Sequence, residues 1–529
     1  MRGSDGVQSP SEPMTGGVSG KALSAAGHLS NNLNALPRFN VGGANIEHGI
    51  WTYGLDEVRD GVRAAFSSLM EDAEGKFGAR PESFCAMGVS AMMHGYLPFD
   101  EGGKLLAPFR TWRNTMTEKA SEELTALLGF NIPQRWSAAH LYQAILNKEE
   151  HVGSIAFMTT LAGYVHRELT GEKFLGVGDA SGMFPIDSEA ADFDSAMLDS
   201  FEAHIAGFGY PWRFRDILPE VKKAGEPAGK LTEAGALYLD PGGKLKPGIP
   251  LCPPEGDAGT GMTATNSVAP RTGNISAGTS IFAMAVLEKP LSRVYPEIDM
   301  VTTPAGDPVA MVHCINGTAD IDAWAGLLGE AAGLSGAPLA SSELYAKLFA
   351  KSLEGAEDCG GLLAFNYLAG EHITGFEEGR PLLIRRAGGD FSIANLMQAI
   401  MFSTLATLKI GMDILSEQEM VKLDRLTGHG GFFKTERVGQ VLMASALGAP
   451  VAVMESAGEG GAWGIALLAA YMAGRGPEES LGAWLYEKVF GGTAGAAATP
   501  DENIARKFGT FMKAFQAGLP VEEAAVTYA

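Results

Sequence analysis

The stretch LTGHGGFFKTERVGQVLMASALGAPVAVMESAGEGGAWGIALLAAY, residues 426–471, decides the fold. A strand is predicted over 421–426, where Val421 and Leu423 alternate with Lys422 and Asp424 before an apolar end at Leu426, and glycines and polar residues then crowd positions 427–434. Helical spacing follows over 435–447, an apolar run occupies 450–454, and a small-residue helix is predicted over 461–473. Strand, glycine-rich loop, helix and strand in this order predict α/β architecture, with a ligand at the carboxyl end of the first strand.

Working upstream, the spacing predicts a long helix over 392–415 with Ser392 as its N-cap. NISAGTSIFAMAVL, residues 274–287, reads as two strands around a turn at 277–280. The Pro- and Gly-rich residues 241–254 read as a domain junction. Closer to the N-terminus, Leu55, Val58, Val62, Phe66 and Leu69 recur at three- and four-residue steps, which makes an amphipathic helix. FCAMGV, residues 84–89, predicts a short buried strand ending at Ser90. Helices are predicted over 118–128, 138–147 and 155–169, the last capped by Gly171. The resulting division is a degenerate or disordered segment over 1–50, a first domain over 51–254 and a second over 255–529, flanking a central cleft.

The chain of 529 residues carries 40 basic and 62 acidic side chains, a formal charge of −22. That balance argues against nucleic-acid partners and anionic membranes, which need positive potential. The charge-free stretches 438–454 and 391–407 are short for a membrane span and contain polar residues, so no transmembrane helix is expected. Cys85, Cys252, Cys314 and Cys359 show no paired spacing, which favours a reducing, cytoplasmic setting. Residues 16–21 imitate a phosphate loop, but the spacing is one short and Ala22 replaces the hydroxyl residue, so no phosphate binding is expected there. The sequence contains no HExxH and no GxSxG.

Three glycine-rich spots suggest chemistry: EGDAGT at 255–260, SAGTS at 276–280 and TGHGG at 427–431. An Asp in a Gly-flanked loop, a Gly-Thr-Ser turn and a Gly-Gly loop opening a helix are parts that phosphoryl transfer needs. Amides and a hydroxyl cradle phosphates, a carboxylate accepts a proton, and a glycine surface admits a nucleoside.

With these parts in order, the chain from Trp51 onward resembles the FGGY family of carbohydrate kinases, in the superfold shared with actin and hexokinase. GVSAMMHG and LPFDEGGKLLAPFRTWRN are similar to that family's sugar-side segment, which implies sugar contacts from Met93, His94, Trp112, Arg113 and Asn114. GVGDASGMFPID, residues 176–187, resembles its Asp-Ala-Ser-Gly segment, and Asp179 either caps a turn or supports the site. EGDAGTG resembles the loop of the catalytic base, which implies that role, and sugar contact, for Asp257. ISAGTS resembles the second phosphate motif, on Gly278, Thr279 and Ser280. The 426–471 stretch resembles the adenosine motif, on Gly430 and Gly431 with Gln440 in register; Phe432 replaces its third glycine, and Phe432 and Phe433 are expected to wall the adenine.

The resemblance implies ATP with Mg²⁺ and a sugar acceptor, with a ketopentose of the xylulose or ribulose type expected. A homo-oligomer is left open. One departure stands out: the residues before Trp51 show no strand pair with an Asp-x-Gly-Thr turn, the family's first phosphate motif. The alternative expectation is therefore a sugar- and nucleotide-binding member with impaired catalysis, or a start site that omits the hairpin. On either, the first domain's sheet loses strands beside residues 84–89, which exposes an unpaired edge.

Overall fold

Seven strands of the C-terminal half build the largest sheet of the computed structural model, which describes residues 45–47, 49–435, 437–454, 460–491 and 496–528. In chain order they are β1 (Thr272–Ala277), β2 (Ile281–Val286), β3 (Asp299–Thr302), β4 (Pro308–Cys314), β5 (Arg425–His429), β6 (Val451–Val453) and β7 (Ala496–Ala498). Their spatial order is β3-β4-β2-β1-β5-β6-β7; β1–β5 and β5–β6 run parallel and the other pairs antiparallel.

Alternation along the strands sends each residue to one of two cores. Ile275, Ala283 and Val312 pack on one face with the helix Ile393–Asp413, while Met284, Val286 and Met311 pack on the other with Trp463 and Ile465. Ser392 caps the long helix, its Oγ accepting from the Asn395 N–H at 3.4 Å. The span Ile393–Gln418 has the length and composition to cross a membrane, but 78% of its most apolar window is buried in protein. It is a core helix.

Two helices join the halves: α1 (Asp257–Ala264) and α2 (Gly460–Gly474). They meet so closely that a Cβ on Gly464 would lie 1.9 Å from the Thr260 carbonyl oxygen. This contact requires glycine, and it sets α1 at the floor of the space between the halves.

Upstream of Asp257 the predicted helices form at Leu55–Phe77, Glu118–Leu128 and Ser137–Leu146. The expected helix over 155–169 is shorter. Phe157–Thr159 pairs with Leu97–Phe99 instead, and Thr160 caps the helix Leu161–Thr170, which ends at Gly171 with φ 80°. The strand expected over 84–89 reduces to a bridge at Met87 and the pair Ser90–Ala91, running beside residues 250–256. Those residues include fully buried Leu251 and Cys252, so the end of the expected junction is part of the first half's interior.

Order also begins earlier than Trp51: Asn45–Glu47 pairs with Ile50–Thr52. The phosphate-loop imitation at 16–21 lies outside the described residues. Among those described, every sheet upstream of Asp257 has two strands. Beside residues 87–91 runs an apolar trench walled by Val58, Val62, Phe66, Val165 and Ile465.

The strand expected over 421–426 is shifted to β5, because pairing with β1 starts at Thr272↔Arg425. Thr427 and Gly428, read as loop, are therefore strand residues. The helix that follows starts only at Val438.

Candidate active site

A cavity of about 380 Å³ opens between the halves, and Met93, His94, Trp112, Asp257, Ser276 and Ser280 are among its walls. Asp257 is the first residue of α1, directly after the strand Glu255–Gly256, rather than a loop residue. Its Oδ1 accepts from the N–H groups of Met93 (3.1 Å) and Ala258 (3.0 Å). The carboxylate is open to the cavity yet deep in the cleft. The surrounding protein displaces bulk water and pushes its pKa above the ordinary Asp value, opposed by those two N–H donors.

Two further carboxyl groups sit behind it. Glu255, fully buried, accepts from the N–H groups of Gly178 (3.2 Å) and Asp179 (2.9 Å). Asp179 accepts from Thr160 Oγ1 at 2.6 Å, and its other oxygen has no partner among the described residues. Burial drives the Asp179 pKa up to about 8, and the Asp257 charge adds to the rise. Glu255 is raised well above the usual range by burial and then by Asp179. Asp179 thus lies beneath the site and does not line the cavity. Glu255 was not singled out in the sequence, although its place two residues before Asp257 in the EGDAGT stretch was a usable signal.

His94 is held in a strained backbone conformation, φ 69°. Arg135 Nε donates to His94 Nε2 at 3.2 Å, which leaves His94 Nδ1–H to donate to the Gly182 carbonyl at 3.2 Å. Burial, with Arg135 second, lowers the His94 pKa to about 3, so the ring is neutral at physiological pH. Arg135 also pairs with Asp299 of β3, which Asn131 Nδ2 holds at 3.1 Å. Neither Arg135 nor Asp299 carried any motif in the sequence.

Of the Trp-Arg-Asn stretch, Trp112 alone reaches the cavity, with 41% of its surface exposed. Arg113 stacks between Trp51 and Trp112, at 5.3 and 5.2 Å from the ring centroids. Asn114 is buried; Oδ1 accepts from the Trp51 N–H (2.8 Å), and Nδ2 donates to the carbonyls of Trp51 and Thr111 (both 2.9 Å). The expectation of sugar contact by Asn114 is corrected: its amide is spent on anchoring the entry to the first long helix.

The 277–280 turn is built as expected between β1 and β2. Its carbonyls are clamped from outside, Gly317 N–H donating to Thr279 and Thr318 N–H to Gly278, both at 2.8 Å. Gly430 has φ 99° and Gly431 faces open space. The expectation for Phe432 is corrected. Phe432 and Phe433 are buried, with Phe432 packed on Phe349 at 5.6 Å and on Phe433 at 5.7 Å, so they belong to the core. Gln440 is likewise structural, donating to the Ala496 carbonyl at 2.9 Å. His429, on the cavity wall, is the residue that the sequence reading missed here.

Strands β2 to β6 with most of β1, the 277–280 turn and the Gly430 loop fall within residues 273–473, which match the C-terminal domain of the FGGY family of carbohydrate kinases. Within these residues the chain is similar to the FGGY carbohydrate kinases. Solved structures agree in fold: a xyloylose kinase from Brucella ovis (TM-score 0.70, 18% identity, covering 90% of this chain and 92% of that one). A xylulose kinase from Rhodospirillum rubrum gives 0.69 at 19% identity, covering 89% and 91%. A gluconate kinase from Lactobacillus acidophilus gives 0.69 at 13%, covering 88% and 90%. These likenesses show a shared two-domain, actin-like fold. No curated protein matches the chain in sequence.

Proposed function

We propose that this protein is a carbohydrate kinase of the FGGY type that transfers the γ-phosphoryl group of ATP to a hydroxyl of a small sugar, with a ketopentose of the xylulose or ribulose type as first candidate. The observation that carries the reading is that Asp257 and the hydroxyl-bearing turn at Ser280 open onto one cavity. Asp257 takes the proton of the attacking hydroxyl while that oxygen bonds to the γ-phosphorus and the bond to ADP breaks. Met93, His94 and Trp112 on the cavity wall hold the acceptor, and Ser280, with Gly278, Thr279, Gly430 and Gly431 beyond the cavity lining, holds the nucleotide. Among the described residues no cluster of three or more His, Cys, Asp or Glu offers a metal site. Asp257 is the carboxylate on the cavity wall that could face Mg²⁺, which would supply charge neutralisation on the triphosphate when bound. The four cysteines are all free, in keeping with a cytoplasmic reaction.

A second reading is a member that binds sugar and nucleotide without turnover. It is favoured by the two-stranded sheets and open trench of the first half. A coupled ADP-release screen over ketoses and polyols separates the two. Release with a ketopentose supports the first; nucleotide binding without release on any acceptor supports the second.

A further inference from the structure

β5 ends beside the turn that follows β1, and the side chain at that end has no role in the reaction described above. Alternation along β5 sends Gly428 to the core face, where an added Cβ would lie 2.5 Å from the Phe433 ring. His429 is thereby turned to the cavity. In the parallel pairing of β1 with β5, His429 lies opposite Ser276, which shares that face and also lines the cavity. Neighbouring strands run about 4.8 Å apart. His429 therefore stands one strand to the side of Ser276, toward the Gly430 loop.

Two backbone elements bracket this pair. Ser276 precedes Ala277, which opens the 277–280 turn, and His429 precedes Gly430. The His429 ring is half-buried and makes no hydrogen bond, ion pair or ring contact with another described residue. Burial lowers its pKa, so at physiological pH it is a neutral imidazole with one N–H donor and one acceptor nitrogen. A polyphosphate here meets little positive charge. Among the described residues that line the cavity, Arg135 is the one lysine or arginine, and Asp299 of β3, at the far edge of the sheet, holds it. Neutral donors are left to meet the phosphates, and His429 stands among them on the nucleotide side of β1.

We propose that His429 donates its ring N–H to the β-phosphate of the bound nucleotide. This rests on the kinase reading above. With the γ-phosphoryl group at the turn and the nucleoside at the Gly430 loop, the β-phosphate spans the step from Ser276 to His429. As the γ-phosphorus bonds to the acceptor oxygen, its bond to the bridging oxygen breaks and that electron pair stays on ADP. A donor already aimed there gains strength as the charge develops, and the imidazole keeps its proton. The acceptor's proton goes to Asp257.

The test titrates ADP and AMP, which differ by the β-phosphate, into wild type and three variants by calorimetry. His429→Ala removes the ring, His429→Phe keeps its bulk without the nitrogens, and His429→Gln restores an N–H donor. Each is checked for an unchanged circular dichroism spectrum. The Ala and Phe variants are expected to bind ADP about tenfold or more weakly, with AMP affinity within threefold of wild type. The Gln variant is expected to bind ADP more tightly than either. Equal losses for ADP and AMP, an unchanged ADP affinity, or a Gln variant no better than Phe would overturn the inference and leave the kinase reading standing. A folded wild-type protein that binds neither ADP nor ATP would overturn the kinase reading, and this inference with it.

Discussion

A Cβ atom on Gly430 would lie 2.4 Å from the carbonyl oxygen of Ala277, the residue that opens the turn between β1 and β2. The loop after β5 and the turn after β1 are thus in backbone contact, and φ 99° at Gly430 penalises any side chain independently. Gly430→Val is expected to push the turn aside and weaken ATP binding at least tenfold, with acceptor affinity little changed. Gly431→Ala, which meets open space, is expected to change ATP affinity less than threefold. Calorimetry with both variants checks this; equal effects would break the argued link between loop and turn.

Phe432→Ala distinguishes a core residue from an adenine wall. Its ring is 1% exposed and packs on Phe349, so truncation is expected to cost about 3–5 kcal/mol of stability. ADP affinity of the remaining folded protein should be unchanged. Denaturant melts and ADP titration together read the outcome, and a stable variant with lost ADP binding would restore the residue to the nucleotide site.

Asp179 makes stability depend on pH. Its folded pKa of about 8 lies above the ordinary value of about 3.9, so the native state keeps a proton that the unfolded chain releases. Protons bound in the native state exceed those in the unfolded state between those two values. Stability therefore falls as pH rises from about 4 to about 8, by at most about 1.4 kcal/mol per pH unit for one proton. Asp179→Asn is expected to flatten this decline between pH 5 and 8 in thermal melts. A variant with the wild-type slope would assign the dependence elsewhere.

How much of this was legible beforehand follows from the range of each signal. The β1–turn–β2 hairpin and the helix behind Ser392 depend on local periodicity and capping, and both appear where the sequence puts them. The strand expected at 84–89 reduces to a bridge at Met87 and the pair Ser90–Ala91, because ladder pairing with residues 251–256 is a long-range match that local apolar content does not encode. The shift of β5 to residues 425–429 was decided by register against β1, a long-range choice that apolar content cannot reveal. At the site, Asp257, His94 and Trp112 were named through motif resemblance and meet at one cavity. Arg135 and Asp299 meet only in three dimensions. Asn114 and Phe432 occupied motif positions but were recruited to packing.

The trench beside residues 87–91 is lined by apolar side chains next to a strand edge that has no further partner among the described residues, an arrangement that favours association. The native protein is expected to bind the dye ANS and to express with low yield of dispersed material. Val62→Glu, on the trench wall, is expected to lower ANS fluorescence and raise that yield. An ANS-silent wild type would mean that the trench is covered.

The most direct test of the central claim is the turnover of Asp257→Asn measured beside its ligand affinities. A positioned general base contributes about 10²–10⁴-fold, and an amide oxygen cannot take the hydroxyl proton. The predicted result is a loss of ADP release in that range, with sugar and ATP affinities within threefold of wild type. A variant that keeps more than a third of the wild-type rate would contradict the account.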